Sequence, residues 1–414
     1  MTDETAVPAA RGRKAPVSAA VCPDYRPETV RPALSSLLTQ WEGFSKIQPG
    51  TKVAVKVNLV SAKAPETAAT THPELVCGLC RELVKRGALV TVGDSPGGLF
   101  TKEALMHVYK VSGMDRVEET GAKLNFDVST GDVSFPQAAA AHVFTCTSWL
   151  QNADVIINFA KLKTHGMMRL TASVKNMFGS VPGTTKPEYH MRFPDTDAFA
   201  DMLIDLNEYF RPSLNLVDAV SCMEGNGPTA GTPRDIGLLL ASESPYDLDL
   251  VCADLIGLAA SDVPTICRAA ARGLGPADLS EVTRTGADTS AYRKPDFKAA
   301  AGKSVTFSGS GALGRFTGAL LMQAMRQVPK VEPSECISCG KCFRVCPAHA
   351  ISMKASGRAA KPARTGKAVS GRGAVPHIDR SICIRCFCCQ EFCPVGAMKV
   401  HRTAIARLLQ RKEN

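Results

Sequence analysis

Cys336-Ile337-Ser338-Cys339-Gly340-Lys341-Cys342-Phe343-Arg344-Val345-Cys346-Pro347 and Cys383-Ile384-Arg385-Cys386-Phe387-Cys388-Cys389-Gln390-Glu391-Phe392-Cys393-Pro394 are two copies of one pattern, C-x2-C-x2-C-x3-C-P. Thiolates at this spacing hold iron–sulfur cubanes: three close cysteines take three irons of one cube, and the fourth reaches across to the other. The rule assigns one [4Fe–4S] cluster to Cys336, Cys339, Cys342 and Cys393, and a second to Cys383, Cys386, Cys389 and Cys346. Pro347 and Pro394 each remove an N–H and stop the loop before a short helix. Ala350-Ile351 and Ala397-Met398 repeat at the same offset, so the duplication extends beyond the ligands. Two zinc sites fit less well, because zinc favours paired C-x2-C knuckles. A disulfide framework fits less well too, since nothing in the chain reads as secretory.

Residues 331–414 therefore read as a small α+β two-[4Fe–4S] ferredoxin-like domain. Within it, the stretch 354–373, rich in Ala, Gly, Ser, Lys and Arg, reads as a flexible basic insert. The module carries 15 Lys/Arg against 5 Asp/Glu, while residues 1–330 carry 34 against 34, so the whole formal charge of +10 resides here. Part of that excess offsets the negative clusters. The rest suits an acidic redox partner of ferredoxin or flavodoxin type better than nucleic acid. Cys388, beside a ligand, reads as a packed thiol, and His349 and His401 as surface residues.

The whole chain has ordinary globular composition, 45% hydrophobic and 21% charged over 414 residues. It contains no apolar run long enough for a membrane span, and Arg11, Arg13 and Lys14 without an apolar segment do not make a signal peptide; the expectation is a cytoplasmic protein. Seven of the 16 cysteines are scattered as reduced thiols would be. Residues 1–16 read as a disordered arm and 17–330 as an α/β domain. Strands are expected at 18–22, 52–60, 88–93, 154–159, 214–220 and 236–241. Helices are expected at 27–38, 73–85, 101–112, 171–178, 197–210, 247–258 and 263–273. Alternation at this spacing predicts a mostly parallel sheet flanked by helices.

In such sheets ligands sit outside the carboxyl ends of the strands. That places Lys56, Asn58, Asp94, Lys161, Lys163, His165 and Glu224 on candidate site loops. The densest polar stretch runs from Asn158 through Lys161, Lys163 and His165 to Arg169, Thr171, Lys175-Asn176, Lys186 and His190. Its cations could converge on an anionic group. A solvated basic loop is the plainer alternative.

Several separated motifs in order add weight to the first reading. Thr71-His72-Pro73, Gly93-Asp94-Ser95-Pro96-Gly97-Gly98, Lys163-Thr164-His165-Gly166, Lys175-Asn176, Pro182-Gly183, Tyr189-His190 and Met223-Glu224-Gly225-Asn226-Gly227-Pro228 resemble the bacterial and archaeal family called domain of unknown function 362. The resemblance covers roughly residues 17–300, and many such proteins carry a C-terminal ferredoxin-like module. Val57 departs from it, since the family usually has proline between the lysine and the asparagine. The resemblance implies an iron–sulfur protein and names no substrate.

The expectation is a redox protein that passes electrons through two clusters to an anionic substrate or cofactor in the α/β domain. Lys163, Lys175 and Lys186 would hold that anion, and His165 or His190 would donate a proton. Asp94 and Glu224 would orient a histidine or bind a metal, and Lys56, Asn58, Asn176 and Lys186 would contact the bound group. The rivals are an electron-transfer scaffold without its own catalysis and a non-redox enzyme with structural or sensing clusters. Two motifs are discounted. Gly309, Gly311 and Gly314 spell G-x-G-x-x-G without the following βαβ unit. Cys77 and Cys80 lie inside a helical apolar pattern and read as core.

Overall fold

The computed structural model describes residues 15–298, 328–359 and 372–401. Nearly all of the expected N-terminal arm, the glycine motif at 309–314 and the middle of the basic insert lie outside the described residues. In chain order the strands of the α/β part are β1 (Val17–Val21), β2 (Lys52–Val57), β3 (Leu89–Gly93), β4 (Lys123–Leu124), β5 (Thr130–Ser134), β6 (Val143–Thr147), β7 (Val155–His165), β8 (Arg169–Thr171), β9 (Leu214–Glu224), β10 (Thr232–Ser242) and β11 (Arg284–Gly286). Nine of them form one sheet in the order β11-β1-β10-β9-β7-β2-β3-β4, with β8 folded back on the end of β7. The strands from β9 to β4 run parallel, β10 is antiparallel to both β9 and β1, and β5 and β6 form a separate hairpin.

Side chains one residue apart on these strands enter different cores, as a strand's period of two demands. Leu216 and Leu239 join Val55 and Phe159 in one cluster, whereas Val217 and Leu238 join Leu162 in another. Helices cover both sides. The first cluster packs against α1 (Pro27–Gln40), α2 (Glu42–Ser45), α3 (Pro73–Lys85) and α4 (Lys102–Ser112). Further along come α5 (Ser148–Gln151), α6 (Ser173–Asn176), α7 (Lys186–Arg192), α8 (Thr196–Phe210), α9 (Pro245–Leu255) and α10 (Pro264–Ala271), of which α9 and α10 cover the second cluster. Local chemistry starts and stops these helices: Pro73 opens α3, the Thr101 hydroxyl accepts from Ala104 N at 3.3 Å to cap α4, and Gly113 ends it at φ 68°. Cys77 and Cys80 are buried in α3, as core residues would be.

Two expectations are corrected. The strand expected at 154–159 continues to His165, and that expected at 214–220 continues to Glu224, so the supposed loop residues stand on strand extensions. Charged residues persist there because partners satisfy them: Lys161 pairs with Asp218 at 2.8 Å, opposite it in the β7–β9 register. In the C-terminal module, β12 (Val328–Val331) pairs with β15 (Met398–His401), and β13 (Ile351–Ala359) with β14 (Arg372–Ile378). The ends of the insert expected to be flexible are thus hydrogen-bonded strands, with Lys354 opposite Val375 and Ala359 opposite Arg372. α11 (Lys341–Arg344) and α12 (Cys388–Glu391) each begin one residue before the third cysteine of their motif and contain it, as Cys342 and Cys389.

Candidate functional site

The carboxyl ends of β2, β3 and β7 meet in a buried polar network. Lys56 Nζ donates to Asp94 Oδ1 at 2.9 Å, Val57 O at 2.6 Å and Asn176 Oδ1 at 3.2 Å, which uses all three ammonium protons. Asp94 also accepts from Leu59 N at 2.6 Å and Ser95 N at 2.8 Å. Asn58 bridges onward, donating to Asn176 Oδ1 at 3.0 Å and accepting from Lys163 Nζ at 2.9 Å; Lys163 also donates to Ala69 O. Burial holds the Lys163 ammonium well below the ordinary lysine range, and the neighbouring Lys175 charge pushes the same way. Gly179 closes over the pair, and a Cβ there would lie 2.0 Å from Asp94 Oδ1 and 2.4 Å from Lys56 Cε. These residues frame the site; the Lys56 ammonium is fully committed, and Lys163, which lines the cavity, commits two of its donors to Asn58 and Ala69.

Beside the network lies a cavity with room of about 60 Å³ for the centres of water-sized groups. Four uncommitted or partly committed groups line it. Lys175 makes no hydrogen bond or ion pair among the described residues; its ammonium stands 5.9 Å from the Phe178 ring centre. The hydroxyls of Ser95 and Thr171 are buried without a partner among the described residues. Lys186 donates to Ser95 O, and burial brings its ammonium down to about 7.

The opposite wall comes from the C-terminal module, as Glu391 and Phe392. Glu391 Oε1 lies 2.6 Å from His165 Nε2. His165 Nδ1 accepts from Met167 N at 3.1 Å and Met168 N at 3.0 Å, which fixes the proton on Nε2 and makes the imidazole the donor to Glu391. Burial, with the Lys175 charge, pushes His165 down to about 4, so the ring is neutral at neutral pH. His190 is pushed down to about 3 by burial; it stacks on Phe199 at 4.4 Å, and its Nδ1 lacks a partner among the described residues. Glu224 stands apart from the cavity and accepts from Lys298 N at 3.0 Å. Lys161 is likewise elsewhere, held by Asp218 and by Tyr25 Oη at 2.8 Å.

The module cysteines surround two further cavities of about 20 Å³ each. Cys336, Cys339, Cys342 and Cys393 line one; Cys346, Cys383, Cys386 and Cys389 line the other. Backbone N–H groups already point at the sulfurs, Ala350 N at 3.2 Å from Cys346 Sγ and Ala397 N at 3.2 Å from Cys393 Sγ. A set of four thiols with N–H donors around a void fits an iron–sulfur cluster in each place. Cys388 is buried and lines neither cavity.

Comparison with known proteins agrees with this division. Residues 53–254 match the family model described as a domain of unknown function (DUF362), and residues 335–397 match a 4Fe-4S dicluster domain. The thylakoid-associated protein sll1697 of Synechocystis sp. (strain ATCC 27184 / PCC 6803 / Kazusa) is 30% identical over 259 residues, which is 61% of this chain and 78% of that protein. The chain belongs to the DUF362 family. A solved structure, the lactate racemase apoprotein from Thermoanaerobacterium thermosaccharolyticum, aligns with a TM-score of 0.38 and 11% identity over 60% of this chain and 58% of that one. Among the described residues, no helix is long and apolar enough to cross a membrane.

The iron–sulfur module docks on the DUF362 domain through α12 and the turn after it. Gln390 Nε2 donates to Asn226 Oδ1 at 2.9 Å and Gly227 O at 2.8 Å, and Thr229 Oγ1 donates to Glu391 O at 3.3 Å. Gly396 lies against Ala230, whose Cβ would stand 2.7 Å from a Cβ at that glycine. Of the residues proposed from sequence, Asn58, Asp94, Lys163, Lys175, Asn176 and Lys186 share the DUF362 cavity. Lys56 backs it through Asp94 and His165 reaches it through Glu391, whereas Glu224 and the His190 ring are not on its wall. Sequence reasoning named Thr171 within the dense polar stretch but missed Ser95, Glu391 and Phe392 as wall residues. Ser95 stands inside a motif quoted for the family, a signal that was present; Glu391 is hidden among cluster cysteines.

Proposed function

We propose that this protein is an iron–sulfur oxidoreductase in which two [4Fe–4S] clusters carry electrons from a ferredoxin- or flavodoxin-type donor to a small molecule held between Lys175, Ser95 and Thr171. The clusters, when bound by the two sets of four cysteines, supply one-electron transfer. The observation that carries the reading is Glu391: it lines the cavity and is two residues from a cysteine of each set, Cys389 and Cys393. Clusters held by these cysteines would supply electrons beside the cavity wall.

The chain's own groups divide the remaining work. Lys175 supplies the uncommitted positive charge, and the Ser95 and Thr171 hydroxyls supply hydrogen bonds to the bound group. A two-electron reduction takes up two protons; Lys186, with its pKa brought near neutrality, gives one, and solvent replaces it and gives the other. His165 and His190, expected from sequence to donate protons, are neutral at working pH. We assign His165 instead the task of holding Glu391.

The test is anaerobic reduction of reconstituted full-length protein with titanium(III) citrate, followed by electron paramagnetic resonance and iron analysis. About eight irons and two reducible cubanes are expected. Small unsaturated carboxylates and oxidised oxyanions are then screened for reoxidation of the clusters. A compound that reoxidises wild type but not Lys175→Ala, with equal cluster signals in both, supports the reading. Reoxidation indifferent to Lys175→Ala for every compound would sink it and leave an electron-transfer scaffold.

A further inference from the structure

We propose that the exposed face of α11, made by Lys341, Phe343 and Arg344, is where an acidic electron-carrier protein docks, so that electrons enter beside Cys339 and Cys342. The inference rests on the proposed redox role and adds the place at which the donor binds.

The module is built twice about a pseudo-two-fold axis. Val331 pairs with Met398 between β12 and β15, and Ile378 pairs with Ile351 between β14 and β13, each at the same offset from the cysteines of its own motif. Gly340 and Phe387, at matching positions, share a left-handed backbone at φ 67° and φ 61°. Thus α11 and α12 are one element in two copies.

The copies have opposite surroundings. On α12, Gln390 is 0% exposed and donates to the DUF362 domain, and Gly396 just beyond lies against Ala230. Phe343, in the place of Gln390, is 48% exposed. Lys341, Arg344 and His349, in the places of Cys388, Glu391 and Gly396, are exposed too. The cysteines follow suit: Cys386 and Cys389 are buried, whereas their counterparts Cys339 and Cys342 are half-buried. A carrier in solution can therefore approach the first set, across an exposed aromatic ring of the kind that interface cores cover.

Charge names the kind of partner. The docked copy turns Glu391 toward a wall lined by Lys163, Lys175 and Lys186. The free copy has Arg344 at that position, donating to Cys339 O at 3.1 Å. Neither Arg344 nor Lys341 has an acidic partner among the described residues, and Glu335, the acid nearest to them in the chain, is held by Lys399 at 2.8 Å. A protein offering carboxylates is drawn to such a face. A second copy of this chain, meeting it about a two-fold axis, would bring like charges together.

The probe is a flavodoxin, an acidic carrier whose flavin absorbs apart from iron–sulfur clusters. Its hydroquinone is mixed anaerobically with full-length cluster-loaded protein; each transfer oxidises the flavin by one electron and reduces a cluster by one. Stopped flow gives the rate, and calorimetry gives the affinity for oxidised flavodoxin. Wild type is compared with Lys341→Glu/Arg344→Glu and with Lys52→Glu/Lys123→Glu, which makes the same change of net charge at the amino ends of β2 and β4, away from the module. The α11 variant is expected to lose about ten-fold or more in rate and affinity at low salt, with iron content unchanged, and the control to stay within about two-fold. Equal losses in both variants, no loss in the α11 variant, or no transfer to wild type would overturn the docking face. So would a dimer of the chain that Phe343→Ser dissociates, because it gives the face to a second copy. Reoxidation of titanium-reduced protein by a cavity ligand bypasses this face and still reports on the redox reading by itself.

Discussion

At the scale of single residues, the site separates groups that are spent from groups that are free. Lys56 and Asp94 are spent, and removing one partner strands the other in a buried setting. Asp94→Ala is expected to cost about 3–5 kcal/mol, read as a lowered urea midpoint, whereas an apolar replacement of both would cost less. Lys186 is free to titrate. Its folded pKa of about 7 lies below the ordinary 10.5, so between those values the unfolded chain holds a proton that the folded chain has released. Its contribution to stability therefore rises with pH across that window and is least below about pH 7. Lys186→Met should remove this slope, which urea midpoints at pH 7 and pH 9 would show as a smaller difference than in wild type. Lys163, Lys175, Asn176 and Lys186 were legible from a dense polar stretch after an apolar strand, and Asn58 and Asp94 from their place just past the carboxyl ends of apolar strands. Glu391 was not, since in the chain it is one of three residues between Cys389 and Cys393, and only the docked module reveals what it faces.

At the scale of elements, β7 shows why the loop expectation failed. Charged residues in Lys161-Leu162-Lys163-Thr164-His165 suggested a turn, yet their spacing is that of a strand, with Lys161, Lys163 and His165 on one face and Leu162 and Thr164 on the other. The period of two was the better signal than polarity. The turns of the module carry a second lesson. Gly396 has φ 68°, and His349, the matching position of the first motif, has φ 50°; a side chain is tolerated there because His349 is exposed, while Ala230 packs on Gly396. Gly396→Val is expected to loosen docking while leaving the iron content unchanged. Faster hydrogen exchange over residues 225–230 and 387–396 would report this, and unchanged exchange with a folded module would refute it.

At the scale of the whole molecule, the alternation of strand and helix carried the mostly parallel sheet, and the cysteine spacing carried the module. The antiparallel return of β10 against β9 was not legible, because strand direction is decided by long-range pairing and not by local pattern. The docking of α12 over the cavity was hidden for the same reason. It leads to a prediction about coupling: the helix that supplies Glu391 contains Cys389 and is flanked by Cys386 and Cys393, so oxidative loss of the clusters should release it. Bleaching of the visible absorbance by air is expected to speed hydrogen exchange over residues 225–230 and 387–396, and exchange unchanged by bleaching would count against it.

The position of Glu391 between Cys389 and Cys393 also bears on how such chains can change over generations. Those two cysteines face different cavities, so the three residues between them are tethered at both ends. One added or lost residue would shift the carboxylate off His165 and misplace a thiol in the same stroke. Descent should therefore alter this span by substitution alone, while residues 360–371, which hold no cysteine, are where insertions and deletions should accumulate.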